Sequence, residues 1–232
     1  MKKSRHEYKF QINEKDMVLL QARLGGVVKK DPHVNKNGCY HIRSVYFDDA
    51  ADTCYYQNEA GTDPRAKYRI RIYNASDGKI RLEKKVKQNG MTRKYAAPLT
   101  REQADLLIAG KGLSMAKEDF DTYPELLQNF MVLWQTRYMR PKVIVSYDRV
   151  PYVDSRGNVR VTFDRNIAAS LDFAHFFDKN LRKEPILPVG VHLMEVKFDE
   201  FLPAYIKERL DIGHLRQTTF SKYYLGRKRK KA

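Results

Sequence analysis

Lys67-Tyr68-Arg69-Ile70-Arg71-Ile72-Tyr73 decides how the rest of the chain is read. Successive side chains of a β-strand point to opposite faces, so Lys67, Arg69 and Arg71 share one face and Tyr68, Ile70 and Ile72 the other. Three cations on one face repel each other unless water or an anion compensates them. A solvated sheet edge would account for a single strand of this kind. The pattern recurs along the chain, with glutamates mixed in.

Downstream, Ser76-Asp77-Gly78 is a hairpin signal, and the return strand over Lys79 to Lys87 sets Arg81, Glu83, Lys85 and Lys87 against Ile80, Leu82, Lys84 and Val86. Asn89-Gly90 is a second hairpin signal. The strand after it, Met91 to Ala97, keeps Lys94 on one side with Thr92 and Ala96, which favours Lys94 over Arg93 as the inward cation. Upstream, Arg5, Glu7, Lys9 and Gln11 alternate with His6, Tyr8, Phe10 and Ile12. Further strands are expected over Tyr40 to Asp48, Lys142 to Arg149, Val159 to Phe163 (bearing Arg160) and Val191 to Asp199, where Glu195 and Lys197 oppose Met194, Val196 and Phe198.

Helices are expected from Asn13 as cap to about Leu24, from Thr100 with the capping box Thr100-x-x-Gln103, over Tyr123 to Gln135, and from Pro203 to about Ile212. The count is eight or nine strands, mostly joined by hairpins, and about four helices. The expected fold class is therefore α+β: an antiparallel β-barrel of about eight strands with a charged interior, flanked by helices. An antiparallel sheet with one wet face carries the same alternation, and the residues alone leave both arrangements open.

The 232 residues carry a formal net charge of +16, and 42% of them are hydrophobic, enough for a core. A basic excess of this size points to a polyanion: nucleic acid, an anionic membrane or condensed phosphate. Nucleic acid is disfavoured because the aromatic residues fall mostly opposite the cations. Arg227-Lys228-Arg229-Lys230-Lys231 is expected to be a disordered basic arm (227–232) after a single domain over 1–226. It would aid capture of polyanions in a salt-screened way. No run is apolar enough to span a membrane. Cys39 and Cys54 form no Cys-x-x-Cys pair, so a reducing, cytoplasmic setting is the simplest expectation and zinc is not. The histidines lie at no metal-like spacing. No Gly-x-x-x-x-Gly-Lys-Ser/Thr loop occurs, so any phosphate must be held by side chains.

Arg5-x-Glu7-x-Lys9 resembles the Glu-x-Glu-x-Lys signature of the triphosphate tunnel metalloenzymes, with Arg5 in place of the first glutamate. Arg69-x-Arg71, Leu82-Glu83-x-Lys85 and Leu193-Met194-Glu195-Val196-Lys197 fit that superfamily. Ser44-Val45-Tyr46-Phe47-Asp48 and Thr218-Thr219-Phe220-Ser221-Lys222-Tyr223, in this order, resemble the VTC domain more closely. That domain is the polyphosphate polymerase module of the vacuolar transporter chaperone complex and of many bacterial proteins. The resemblance runs from Arg5 to Gly226.

It implies a tunnel in which basic residues bind the ATP triphosphate while the γ-phosphate passes to a growing polyphosphate chain. By motif, the phosphate-binding residues would be Lys9, Arg69, Arg71, Lys85, Lys94, Arg149, Arg160 and Lys222. Of these, Arg69, Arg71, Lys85, Arg149 and Arg160 would act in catalysis. A divalent metal, manganese or magnesium, would sit on Glu195, with Glu7 as a second ligand. ATP and polyphosphate are the implied partners. A membrane-associated partner is left open and the oligomeric state unassigned. Arg5 in place of a glutamate should weaken metal-activated water and favour a second anionic substrate, so polymerase is preferred to triphosphatase. The alternatives are a tunnel triphosphatase and a non-catalytic polyphosphate-binding module. Lys67 shares the face of Arg69 and Arg71, is claimed by no motif, and is expected at the tunnel mouth.

Overall fold

A computed structural model describes residues 4–231. In chain order the strands and helices are β1 (His6–Asn13), α1 (Glu14–Gly25), β2 (Lys29–Lys30), β3 (Tyr40–Asp48), α2 (Thr53–Glu59), β4 (Arg65–Tyr73), β5 (Ser76–Gln88), β6 (Met91–Pro98), α3 (Arg101–Ile108), α4 (Lys117–Phe120), α5 (Glu125–Thr136), β7 (Arg140–Asp154), β8 (Val159–Ser170), β9 (Glu184–Pro185), β10 (Val191–Phe198), α6 (Ala204–Leu210) and α7 (Lys222–Lys231). The class is α+β, and eight long strands form one curled antiparallel sheet in the order β1-β10-β8-β7-β3-β4-β5-β6. Its two edges meet at a single bridge, where Arg5 N–H donates to the Thr92 carbonyl (3.1 Å) and Thr92 N–H to the Arg5 carbonyl (3.2 Å).

Local chemistry explains most boundaries. Asn13 and Asp16 cap α1 reciprocally, and Thr100 and Gln103 do the same for α3, each pair satisfying amides that the first helical turn leaves free. Asn89 and Gly90 take the left-handed conformation that a tight hairpin requires. The turn between β4 and β5 differs from expectation. Asn74 and Ala75 adopt positive φ there, and Ser76-Asp77-Gly78 already belongs to β5. Asparagine visits the left-handed region more readily than most residues, and Ala75 follows it there.

Two apolar layers cover the outside of the sheet. Leu127, Phe130 and Trp134 of α5 pack with Ile70, Ile72 and Leu82, while Leu20 and Leu24 of α1 and Ile206 of α6 pack with Phe163, Met194 and Val196. The outward residues of each strand are thus apolar because helices bury them, and the charged residues turn inward.

The largest departure from expectation is at the C-terminus. Arg227–Lys231 is part of α7 rather than a loose arm, and α7 packs on β7 and β8 from the inside of the curl. Gly226 permits that approach, since a Cβ there would lie 3.2 Å from Val145 and 3.4 Å from Ala169. Tyr223 is buried against this floor and donates its hydroxyl to Asp48. Asp48 also accepts from the amides of Cys54 and Tyr55, so one buried carboxylate ties α2 and α7 to the end of β3. Arg227 pairs with Asp52 and Lys230 with Glu184, both at 2.7 Å, which holds the basic turn in place. No helix among the described residues is long and apolar enough to cross a membrane.

Candidate functional site

Inside the curl, α7 and its apolar neighbours fill one part, and a cavity of about 500 Å³ lies beside them. Lysines and arginines along its wall outnumber carboxylates by eleven to three. Lys9, Arg69, Arg71, Lys85, Lys94, Arg149, Arg160, Lys222, Glu7 and Glu195, scattered over the sequence, all line it. The register brings them together: Arg69 lies opposite Glu83, Lys85 opposite Lys94, and Lys9 opposite Glu195 on neighbouring strands. Arg93 turns away toward Ser4, so Lys94 is the inward residue of that pair.

Glu83 anchors one wall. It accepts from Arg69 at 2.8 and 2.7 Å and from Lys94 at 2.9 Å, with Arg71 at 3.8 Å. Burial opposes ionisation of Glu83, yet Arg69, Arg71 and Lys94 outweigh it and hold its carboxyl far below the usual range. Arg69 also donates to the Tyr46 hydroxyl (2.9 Å), and Arg71 to Ser44 and Tyr147 (3.2 Å each). Both guanidinium planes are therefore fixed before any ligand arrives. Burial alone would raise the Tyr46 phenol, but Arg69 and Arg71 reverse that and lower it.

A second anchor is the pair Asp164 and Glu195. Arg149 grips Asp164 with two bonds of 2.7 Å and reaches Glu195 at 3.4 Å. Lys222, the first residue of α7, contacts Asp164 at 2.7 Å and Glu195 at 3.0 Å, and both carboxylates raise its pKa against the effect of burial. A third is Glu7, bound by Lys85 (2.8 Å) and Lys9 (3.1 Å). Burial and the neighbouring Lys9 and Lys197 pull Lys85 down to about 8 in spite of Glu7. Arg160 sits apart, tied to Asp31 and the Tyr40 hydroxyl at 2.7 Å each.

Sequence reasoning assigned no role to Glu83, Asp164, Tyr46 or Tyr147, which position the cations. Asp164 lay beyond the expected end of its strand, because β8 continues to Ser170. Glu83 was on the correct face and inside the Leu-Glu-x-Lys motif, the one signal that could have found it.

A hard divalent cation takes oxygen ligands, and magnesium commonly uses one or two carboxylates and completes its shell with water and substrate phosphates. No group of three or more histidine, cysteine, aspartate or glutamate side chains arranged for a metal is present among the described residues. Glu7 and Glu195 are near enough for Glu195 to oppose ionisation of Glu7, and both line the cavity. They fit an ion shared with a phosphate ligand and do not form a closed protein cage.

Fold and lumen together define a curled antiparallel sheet around a cation-lined interior built from side chains. The chain belongs to the VTC domain family, whose model matches residues 4–230. Among solved structures it is similar to an adenylate cyclase-like protein of Bacillus halodurans, with 13% identity, 90% of this chain and 86% of that chain covered, and a TM-score of 0.48. It is also similar to the PH1819 protein of Pyrococcus horikoshii OT3 (13% identity, 98% and 99% covered, TM-score 0.46). The Mimivirus capping enzyme triphosphatase is a more distant likeness (10% identity, 84% and 80% covered, TM-score 0.35). No curated protein matches the chain.

Proposed function

We propose that this protein is an ATP-dependent polyphosphate polymerase. The observation that carries the reading is the excess of cations lining the cavity, eleven against three lining carboxylates, an excess that persists when the anchors Glu83 and Asp164 behind them are counted; each of these carboxylates is engaged by a lysine or arginine. Such a wall suits two polyanions held end to end, the ATP triphosphate and a phosphate chain.

Phosphoryl transfer asks little covalent work of a protein, so positioning and charge neutralisation dominate. Arg69 and Arg71 are preset by Glu83, Tyr46, Ser44 and Tyr147, and would meet phosphate oxygens with their remaining N–H groups without reorganising. Lys9, Lys85, Lys94 and Lys222 would add point charges, and Arg149 and Arg160 would extend the cationic wall. An oxygen of the terminal phosphate of the chain bonds to the γ-phosphorus as the bond from that phosphorus to the ADP oxygen breaks, and ADP leaves. Glu195 with Glu7 would hold a divalent metal jointly with phosphate oxygens, and the ion would supply further neutralisation of the triphosphate.

Incubation with ATP and manganese tests the proposal. Long polyphosphate chains with stoichiometric ADP are expected. Release of orthophosphate alone would make the protein a triphosphatase, and absence of turnover with retained polyphosphate binding would make it a binding module.

A further inference from the structure

A second cavity, of about 400 Å³, adjoins the first. The two share Glu7, Lys9, Lys67, Lys85, Thr92, Phe220 and Ser221, so these residues form a waist between them. Lys67 therefore lies at the junction and not at an outer mouth.

Along the β4–β5 hairpin Glu83 is the one carboxylate in the inward cross-strand pairs, with Arg71 opposite Arg81 on one side of it. Arg69 faces Glu83, an opposite-charge pair. The next inward pairs are Lys67 with Lys85 and Arg65 with Lys87, all of which line the second cavity. Like charges placed directly opposite destabilise a sheet. Lys85 is relieved by Glu7. Lys67 has no carboxylate partner among the described residues: its ammonium donates to Asn58 and to the Ser221 hydroxyl (2.9 Å), both neutral. Burial, then Lys85, Lys9 and Arg65, all act against its charged form. Ser221 accepts from Lys67 and from the Tyr224 amide, which leaves its own hydroxyl proton to donate. The one acidic residue added by the second cavity, Glu59, is engaged by the Tyr224 hydroxyl (2.9 Å).

We propose that Lys67, Arg65 and Lys87 form a strip that engages phosphate units beyond the triphosphate, so that this cavity reads the length of a condensed-phosphate chain. The inference rests on the polyphosphate reading above and names residues that reading does not use. A triphosphate clamped by Arg69 and Arg71 is compensated within the first cavity. A longer chain crosses the waist and supplies the anions that the strip lacks.

The test compares tripolyphosphate with long-chain polyphosphate in competition binding on the whole protein, for wild type, Lys67→Gln, the double variant Arg65→Gln/Lys87→Gln, and the charge-keeping double variant Arg65→Lys/Lys87→Arg. Wild type is expected to prefer the long chain. Each removed charge should weaken long-chain binding about tenfold at low salt, with a much smaller loss for tripolyphosphate, and the charge-keeping variant should restore the preference. Removing like charges should leave the thermal midpoint unchanged or raised, whereas a purely structural role would lower it. Equal losses for both ligands, or a wild type that binds both equally, would overturn the strip and leave the first cavity's function standing. A wild type that binds neither would overturn both.

Discussion

Arg69 sets two of its nitrogens on Glu83, at 2.8 and 2.7 Å, and this pair fixes the geometry of one basic wall of the lumen. Glu83 is 1% exposed and also serves Arg71 and Lys94. Glu83→Gln keeps the shape and removes the charge, leaving three cations without their shared anion. Loss of one partner from a buried pair costs about 3–5 kcal/mol. The thermal midpoint of Glu83→Gln should fall accordingly, and saturating tripolyphosphate should recover more of it than in wild type. An unaltered midpoint would contradict the anchoring role.

Arg71→Ala removes a guanidinium held by Ser44 and Tyr147 without removing Glu83's other partners. Loss of one preorganised donor to a developing phosphate charge typically costs about 100- to 1,000-fold in turnover. ADP release should drop by that order with the fold intact. Arg69→Lys should also lose activity, because a lysine cannot span Glu83 and Tyr46 together as the fork does. Wild-type rates in both variants would remove these residues from the proposed mechanism.

Lys85 carries the pH dependence. Burial, Lys9 and Lys197 lower it to about 8 from an ordinary lysine value near 10.5, against the pull of Glu7 and Glu195. Lys67, directly across the strand pair, is lowered as well. Between about pH 8 and 10.5 the unfolded chain binds more protons than the folded one at this site, so the contribution of Lys85 to stability rises with pH over that window. Affinity for polyphosphate should fall over the same window as the ammonium is lost. The extra midpoint gain that tripolyphosphate gives wild type over Lys85→Met should therefore shrink as pH rises through this window, while the ligand-free midpoint difference rises. A ligand-induced gain that stays constant with pH would refute the assignment.

Gly226 offers a mechanical handle on the site. A Cβ there meets Val145 at 3.2 Å and Ala169 at 3.4 Å, and α7 begins with Lys222. Gly226→Val should overpack the floor at a cost of about 1–3 kcal/mol and shift Lys222 from Asp164 and Glu195. Weaker tripolyphosphate binding together with a lower midpoint is the expected pair of results. A lower midpoint with unchanged binding would show that α7 does not position Lys222.

The inward cations were legible because strand alternation is a local property: Arg69, Arg71 and Lys85 could be assigned to a face from spacing alone. The VTC motifs then brought in Lys9, Arg149, Arg160 and Lys222. What spacing could not carry was pairing between distant strands. That Lys9 faces Glu195, or that Lys222 reaches Asp164, depends on a register set by the whole sheet. The helical state of Arg227–Lys231 was equally hidden, since a run of like charges favours an extended, solvated chain unless tertiary partners such as Asp52 and Glu184 hold it.

The sheet closes on itself through two hydrogen bonds between Arg5 and Thr92, where every other junction between its long strands is a full ladder. Repulsion among the lumenal cations presses outward on all walls, and this seam is the line that yields most easily. A polyanion in the lumen thus acts as an internal hoop, drawing the walls together by attraction from within. Amide exchange at Arg5 and Thr92 should accordingly slow when the tunnel is loaded, more than at any other strand pair.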